Sequence, residues 1–268
     1  MICAPGQGPQ RRLRRSSRER AGGFTLVELL VVIAIIAVLV AITLPSLGRV
    51  VELTRAAACR SNLHQMGNAM KTYIAAWDQY YPAGHTWNKS HYHPKCVITW
   101  VPNLRIYTHQ EELFCCLSGA PEAKWVPVYD TGDPKEYGYA QGERRLYSYT
   151  PFSYGYNNWG TWDFRDPQLG LGSMAEYTNP GDPDWGPLRA RRVQVPSEMF
   201  AIADSRVDGV WDAFIDSNQP PEYPYDRHLD RCSVVFCDGH TEAMYTIDMI
   251  DTTDAAQRRW NNDNKPHR

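Results

Sequence analysis

His228 and the tripeptide Asp238-Gly239-His240 are the residues of this chain that look most like chemistry. Two imidazoles and a carboxylate can hold a metal ion or pass a proton. Their spacing speaks against both uses. No His-x3-His pair places two rings on one helix face, and Asp-Gly is turn chemistry that explains Asp238 and Gly239 without catalysis. The chain also lacks a nucleophile elbow and a phosphate-binding loop. No catalytic residue is expected, and His228, Asp238, Gly239 and His240 are read as a structural motif. The other reactive groups are Cys3, Cys59, Cys96, Cys115, Cys116, Cys232 and Cys237. A zinc site from Cys115, Cys116 and neighbouring histidines lacks paired Cys-x2-Cys spacing, so no metal site is expected.

The elements that must carry these residues start with a membrane segment. The 268 residues are 43% hydrophobic and 22% charged, which excludes wholesale disorder. A net charge of −2 hides a split: residues 1–23 hold six arginines against Glu19, and the rest carries 22 basic and 29 acidic side chains. A basic tip on an acidic body suits a targeting segment and argues against a nucleic-acid partner. From Phe24 to Gly48 there are 25 residues with Glu28 as the single charge. That is long enough to cross the roughly 30 Å hydrocarbon core of a bilayer. The arginines upstream outnumber Arg49, Arg55 and Arg60 downstream, so the amino terminus is expected in the cytoplasm and the remainder outside it.

The apolar run lacks an Ala-x-Ala-like exit, and its distinctive end is the cytoplasmic one: Gly22-Gly23-Phe24-Thr25-Leu26-Val27-Glu28-Leu29-Leu30. This resembles the leader of type IV prepilins and type II secretion pseudopilins. The resemblance implies cleavage between Gly23 and Phe24 by a prepilin peptidase, N-methylation of Phe24, and retention of the apolar helix. A carboxylate within a membrane helix costs about 2.5–3.5 kcal/mol and needs a partner. Glu28 is expected to find one in a neighbouring subunit's Phe24 amine, setting the register of assembly.

Pro45 ends the purely apolar stretch, where a kink is expected. Cys59, Leu63, Met66, Met70, Tyr73 and Trp77 then recur at spacings of 4 and 3, an apolar stripe read as a packing surface. A helix from Phe24 to Trp77 would run about 80 Å, closed by Asp78, Gln79 and Tyr80-Tyr81-Pro82. Between Gly119 and Pro187, 10 glycines and 8 prolines signal irregular structure, while 14 aromatics such as Trp125, Tyr154, Trp159 and Trp162 signal order and core packing. Met199–Ala203 and Ser233–Phe236 read as strands, and Asp238-Gly239 as the hairpin turn before His240–Met244. The expected fold is α+β: a long amino-terminal helix packed on a small antiparallel sheet, with irregular aromatic-rich insertions, as in pilins. The expected segments are a leader (1–23), a transmembrane helix (24–47), an amphipathic helix (48–80), a head (81–250) and a tail (251–268).

His228 followed by Val234-Val235-Phe236 and Asp238-Gly239-His240 resembles the H-x9-DG domain that accompanies prepilin-type leaders. Cys59–Gly67, Ser153-Tyr154-Gly155-Tyr156-Asn157, Pro196-Ser197-Glu198, Ala203-Asp204-Ser205 and Arg259–Asn264 fit the same pattern. The resemblance implies a structural subunit of a type II secretion pseudopilus or related fibre, held in the bacterial inner membrane. Its partners would be the prepilin peptidase, other pilins or pseudopilins through the helix, an assembly platform and the bilayer. Cys3 would leave with the leader. Cys59, Cys96, Cys115, Cys116, Cys232 and Cys237 would then sit where disulfides persist, with 15 complete pairings open. Cys115 and Cys116, being adjacent, are expected to take different partners, and Cys232 and Cys237 to face opposite sides of the sheet. No cofactor is expected. Pseudopilins often hold calcium, and Asp204, Asp208, Asp212 and Asp216 supply oxygens every four residues, but they match no calcium loop and read as solvated acids. The alternatives are a minor type IV pilin for adhesion or DNA uptake, and an anchored carbohydrate-binding or hydrolytic module using His228 and His240.

Overall fold

The computed structural model describes residues 24–86, 98–119, 152–159, 168–172, 187–209 and 212–267. Gly23, Cys3, Cys96, Trp125 and Trp162 lie outside them. The chain divides into two compact units, Met1–Leu47 and Gly48–Arg268.

One helix, α1 (Leu26–Ala76), continues through Pro45. Proline has no N–H to donate, and nearby hydroxyls also engage the backbone carbonyls. Thr43 Oγ1 donates to the Leu39 and Val40 carbonyls, and Ser46 Oγ to that of Thr43. In the first unit every described residue is exposed, from Phe24 to Leu47. That apolar surface has no protein partner among the described residues, as a bilayer-facing helix requires.

Within Gly48–Arg268 the same helix behaves differently. Cys59, Leu63, Met66, Met70 and Tyr73 are buried, as their spacing predicts, and Gly67 and Ala69 join them. Trp77 falls just past the helix and stays half-exposed, stacked on Tyr73 with its indole N–H donating to Tyr107. Asp78 and Gln79 take positive φ and the Gln79 N–H returns to the Ile74 carbonyl, a left-handed stop that ends the helix.

The buried stripe packs on the head. A two-residue ladder of β1 (His85–Thr86) and β2 (Ile98–Thr99) leads into α2 (Trp100–Thr108). The main sheet has the order β5-β3-β4-β6-β7, from β3 (Tyr154–Asn157), β4 (Phe200–Asp204), β5 (Phe214–Ile215), β6 (Cys232–Phe236) and β7 (Thr241–Met244). Three pairings are antiparallel, as expected, and the β3–β5 edge is parallel, so the sheet is mixed. The long connection from β3 through β4 to β5 brings β5 back alongside β3 in the same direction, which no local hairpin signal could announce.

Alternation divides the sheet into two cores. Val235 and Cys237 face α1 with Ile202, Tyr154 and Tyr156, whereas Cys232, Val234 and Phe236 face the opposite side. In β4, Ala201 and Ile202 both face α1, because the pairing slips between Phe200 and Ile202 in a bulge. The far face is covered by α3 (Thr246–Met249), α4 (Asp254–Gln257) and the turn after it. Trp260 is fully buried there and its indole N–H donates to the Met249 carbonyl. Residues 251–268, set apart as a tail in the sequence, therefore supply one wall of the core. The insertion aromatics that are described, Phe152, Tyr154, Tyr156 and Trp159, are all core residues rather than a surface platform.

Candidate functional site

Two places gather the residues that the sequence marks out. The first is the start of α1. Thr25 Oγ1 accepts from the Glu28 N–H, and Glu28 Oε2 accepts from both the N–H and the hydroxyl of Thr25 at 2.8 and 2.7 Å. This reciprocal pair is a capping box, and Thr-x-x-Glu before an apolar run is its sequence signature. The sequence reading of Glu28 overlooked it. The cap engages one carboxylate oxygen; Oε1 has no partner among the described residues and faces outward on an exposed helix.

The second place is where the head closes on α1, and both ends of the H-x9-DG motif reach it. The hairpin end comes first. Gly239 N–H donates to the Phe236 carbonyl and Phe236 N–H to the His240 carbonyl, closing a three-residue loop with Gly239 at φ +86°. Asp238 Oδ1 accepts from the His240 backbone, and the His240 ring lies flat on Phe236. Burial acts on the Asp238 carboxyl to raise it, but the His240 hydrogen bonds hold it below its usual range. The loop then docks on the helix: His64 Nδ1–H donates to the Gly239 carbonyl at 3.1 Å. A Cβ on Gly67 would stand 2.8 Å from Val235 Cγ2 and 3.1 Å from Gly239 Cα, so the helix carries glycine where the turn touches it.

His228 forms the other end. Its Nδ1 lies 2.9 Å from Glu52 Oε1, and its Nε2 lies 3.2 Å from Cys116 Sγ. With Nδ1–H donating to the carboxylate, Nε2 is left to face sulfur. Cys116 Sγ is 2.7 Å from Cys59 Sγ on α1. Ser118 also donates to Glu52, at 3.0 Å. Burial works against ionising His228, yet the Cys59, Asp204 and Glu52 groups around it win and raise its pKa. Burial likewise pushes Glu52 up, and the hydrogen bonds of His228 and Ser118 bring it below its usual value. The contact between the two sulfurs lowers Cys59 against the effect of burial, and the same contact, with burial, raises Cys116.

Glutamate, histidine and cysteine in this order could activate a thiol. The three groups are closed off from solvent: Cys116 is 2% exposed, Cys59 0% and His228 3%. The recess beside them is lined by Ser118, Gly119, Arg206, Val207, Tyr225 and Arg227, and includes none of the three. Among the described residues, Cys59, Cys116 and His228 also form the one group whose donor atoms converge as metal ligands would. The sequence pointed at Cys115 and Cys116 instead, because Cys59 is 57 residues away from its partner. Cys115 itself is half-buried, outside this contact. Cys232 and Cys237 sit in opposite cores.

Of the acids considered for calcium, Asp208 and Asp212 meet through their side chains, and Asp208 and Asp216 lie close enough to Glu222 to act on its charge. Asp204 is buried behind the cluster, 3.6 Å from Arg227 Nε, and burial raises it to about 6 against the pull of Arg227. Asp212 accepts the backbone N–H groups of Phe152, Asp208 and Gly209. Asp216 accepts from the Asn218 N–H. Asp204, Asp212 and Asp216 are buried, not the solvated loop acids expected, and two of them organise turns.

No curated protein and no solved structure matches the chain. Residues 18–44, which include the Thr25–Glu28 cap and the exposed apolar turns after it, match the family model for the prokaryotic N-terminal methylation motif. The chain thus carries the prepilin-type amino terminus that type IV pilins and pseudopilins share.

Proposed function

We propose that this chain is a structural subunit of a pilin-like fibre, a type II secretion pseudopilus or a close relative, and performs no chemistry of its own. A prepilin peptidase removes residues 1–23 and methylates Phe24. The apolar half of α1 then holds the chain in the inner membrane, with its amino end cytoplasmic and the Gly48–Arg268 head outside. Subunits assemble through this helix, and Glu28 pairs with the Phe24 amine of a neighbour. The observation that carries the reading is the joint one at the amino end: a methylation motif over 18–44 on a helix whose best membrane window has none of its residues buried. In lipid such a surface costs nothing, and against like helices it packs.

Mass spectrometry of the amino-terminal peptide from the membrane-bound protein tests it. The expected peptide begins at N-methylated Phe24. An uncut terminus, or a cut beyond Leu44, would make the segment a plain anchor or secretory signal and remove the assembly role.

A further inference from the structure

We infer that Cys59 and Cys116 are a disulfide pair, a covalent pin between helix α1 and the loop that follows α2, with His228 as the base that serves its formation. The sulfurs stand 2.7 Å apart, within about 0.7 Å of the ~2.05 Å of a bond. A zinc ion bound to both thiolates at ~2.3 Å in tetrahedral geometry would hold the sulfurs about 3.8 Å apart. The pair would have to open by an ångström to admit a metal, in a core where Cys59, Leu63, Met66 and Tyr154 are already buried. Among the described residues the donor set is also one ligand short: Glu52 is turned to the far nitrogen of His228 and does not join the sulfurs.

Among the described cysteines, Cys232 and Cys237 lie elsewhere. Cys232 Sγ lies on the other face of the sheet, directed at the Asp204 and Ser233 carbonyls. Cys237 packs in the core beside Tyr81. Cys115 Sγ lies 3.8 Å from the carbonyl oxygen of Cys116.

The step balances with a protein or small-molecule disulfide as oxidant. One thiol of the pair gives its proton to His228 Nε2, and its thiolate attacks the oxidant, forming a mixed disulfide and releasing one oxidant thiolate. The second sulfur, deprotonated in turn, attacks the mixed disulfide on the protein side. The Cys59–Cys116 bond forms and the second oxidant thiolate leaves. Two electrons pass to the oxidant, and the two thiol protons end on its two thiolates. Because both sulfurs are buried in the folded head, the exchange accompanies the docking of residues 111–119 on α1, as Cys116 comes within reach of His228 and Cys59 and before the core closes over them. Glu52, bonded to Nδ1, positions the ring for this transfer.

The pairing rests on the contact; the oxidising location rests on the export proposed above. The test separates them. Protein from the membrane fraction is alkylated without reduction, digested, and analysed with and without reductant. The expected result is a Cys59 peptide joined to the Cys115–Cys116 peptide, lost in Cys116→Ser and retained in Cys115→Ser. Alkylated Cys59 and Cys116 in a chain that begins at Phe24 would overturn the inference, as would one equivalent of zinc bound with both thiols unlinked. Should the terminus prove uncut, the export reading fails, and the reduced protein is equilibrated with glutathione disulfide instead. Linkage under those conditions upholds the pair, and free thiols overturn it.

Discussion

The two halves of α1 are made of the same backbone and solve opposite problems. Before Leu47 the helix exposes every apolar side chain and satisfies its polar groups locally, through the Thr25–Glu28 cap and the hydroxyls around Pro45. After Gly48 it buries a stripe and satisfies polar groups at long range, Glu52 with His228 across 176 residues and His64 with Gly239 across 175. Each half also carries a carboxylate, Glu28 among exposed apolar turns and Glu52 partly covered by the head. Glu28 has a free oxygen on an outer surface, which suits a partner that arrives from another subunit. Glu52 has His228 and Ser118 already in place, which suits a finished interior. If Glu28 serves assembly as proposed above, a polar group's unspent capacity, more than its burial, separates an assembly residue from a packing residue.

The comparison breaks most visibly at Glu28. Replacing Glu28 with leucine is expected to leave cleavage, methylation and the thermal midpoint of the head unchanged while abolishing fibre formation. Sheared-fibre yield, scored beside the amino-terminal mass, checks this; normal fibres from Glu28→Leu would show that the free oxygen does nothing.

The head carries its own charge penalty at Glu222. Burial, then the nearby carboxylates of Asp216 and Asp208, push its pKa up to about 8 from an ordinary 4.5. A pKa raised in the folded state means the proton is held more tightly there. The associated stability is complete below about pH 4.5 and is lost as pH rises through about 8. Asp204 and Asp212, raised by burial to about 6, add a similar loss that is finished near pH 6. Melting of the full chain in detergent micelles should therefore fall between pH 6 and 9 in the wild type. In Glu222→Gln that upper part of the fall should vanish, leaving the variant a few kcal/mol more stable at pH 9. Parallel curves for the two proteins would place Glu222 in a wetter site than this fold gives it.

How much of this could be read in the sequence depends on range. The membrane run, the 4-and-3 stripe down to Tyr73 and the Asp238-Gly239 turn are local patterns, and each is where its period or turn chemistry puts it. Thr25-Leu26-Val27-Glu28 was equally legible as a capping box, but the membrane setting of Glu28 drew the reading toward assembly alone. The meeting of Glu52, Cys59, Cys116 and His228 was not legible, because three distant segments converge through a sheet whose β3–β5 parallel edge has no hairpin to betray it. The packing of the carboxy-terminal segment is hidden in the sequence for a related reason. Arg259-Trp260-Asn261-Asn262 looks polar, yet its amide groups serve the fold's interior: Trp159 Nε1–H donates to Asn261, and Asn157 to the Trp260 carbonyl.

A smaller break tests whether the H-x9-DG turn is fastened to the helix. In Gly67→Ala the new methyl meets Val235 and the Gly239 backbone, so hairpin and helix must part by a few tenths of an ångström. Overpacking of this kind costs about 1–3 kcal/mol. A lower melting temperature, with faster hydrogen exchange at the Phe236 and Gly239 amides, is the expected outcome; Gly48→Ala, where nothing lies within 4 Å, is the matched control.

The smallest effect lies at the cap. Thr25→Ala removes the hydroxyl that accepts from the Glu28 N–H and donates to its carboxylate, worth about 1 kcal/mol for an N-cap. Because nothing in the exposed half of the helix is held by tertiary contacts, the loss should stay where it is made. The Glu28 amide should exchange roughly five times faster in micelles, and the melting of the head should not move. Thr25→Ser, which keeps the oxygen, should restore protection. The variant also sharpens the assignment of Glu28. If the carboxylate serves chiefly as a cap, Thr25→Ala should harm assembly as much as Glu28→Leu does. If its unspent oxygen serves the neighbouring subunit, Thr25→Ala leaves that oxygen as it was, with Oε2 still held by the backbone N–H of residue 25, and fibres should form at close to the wild-type yield.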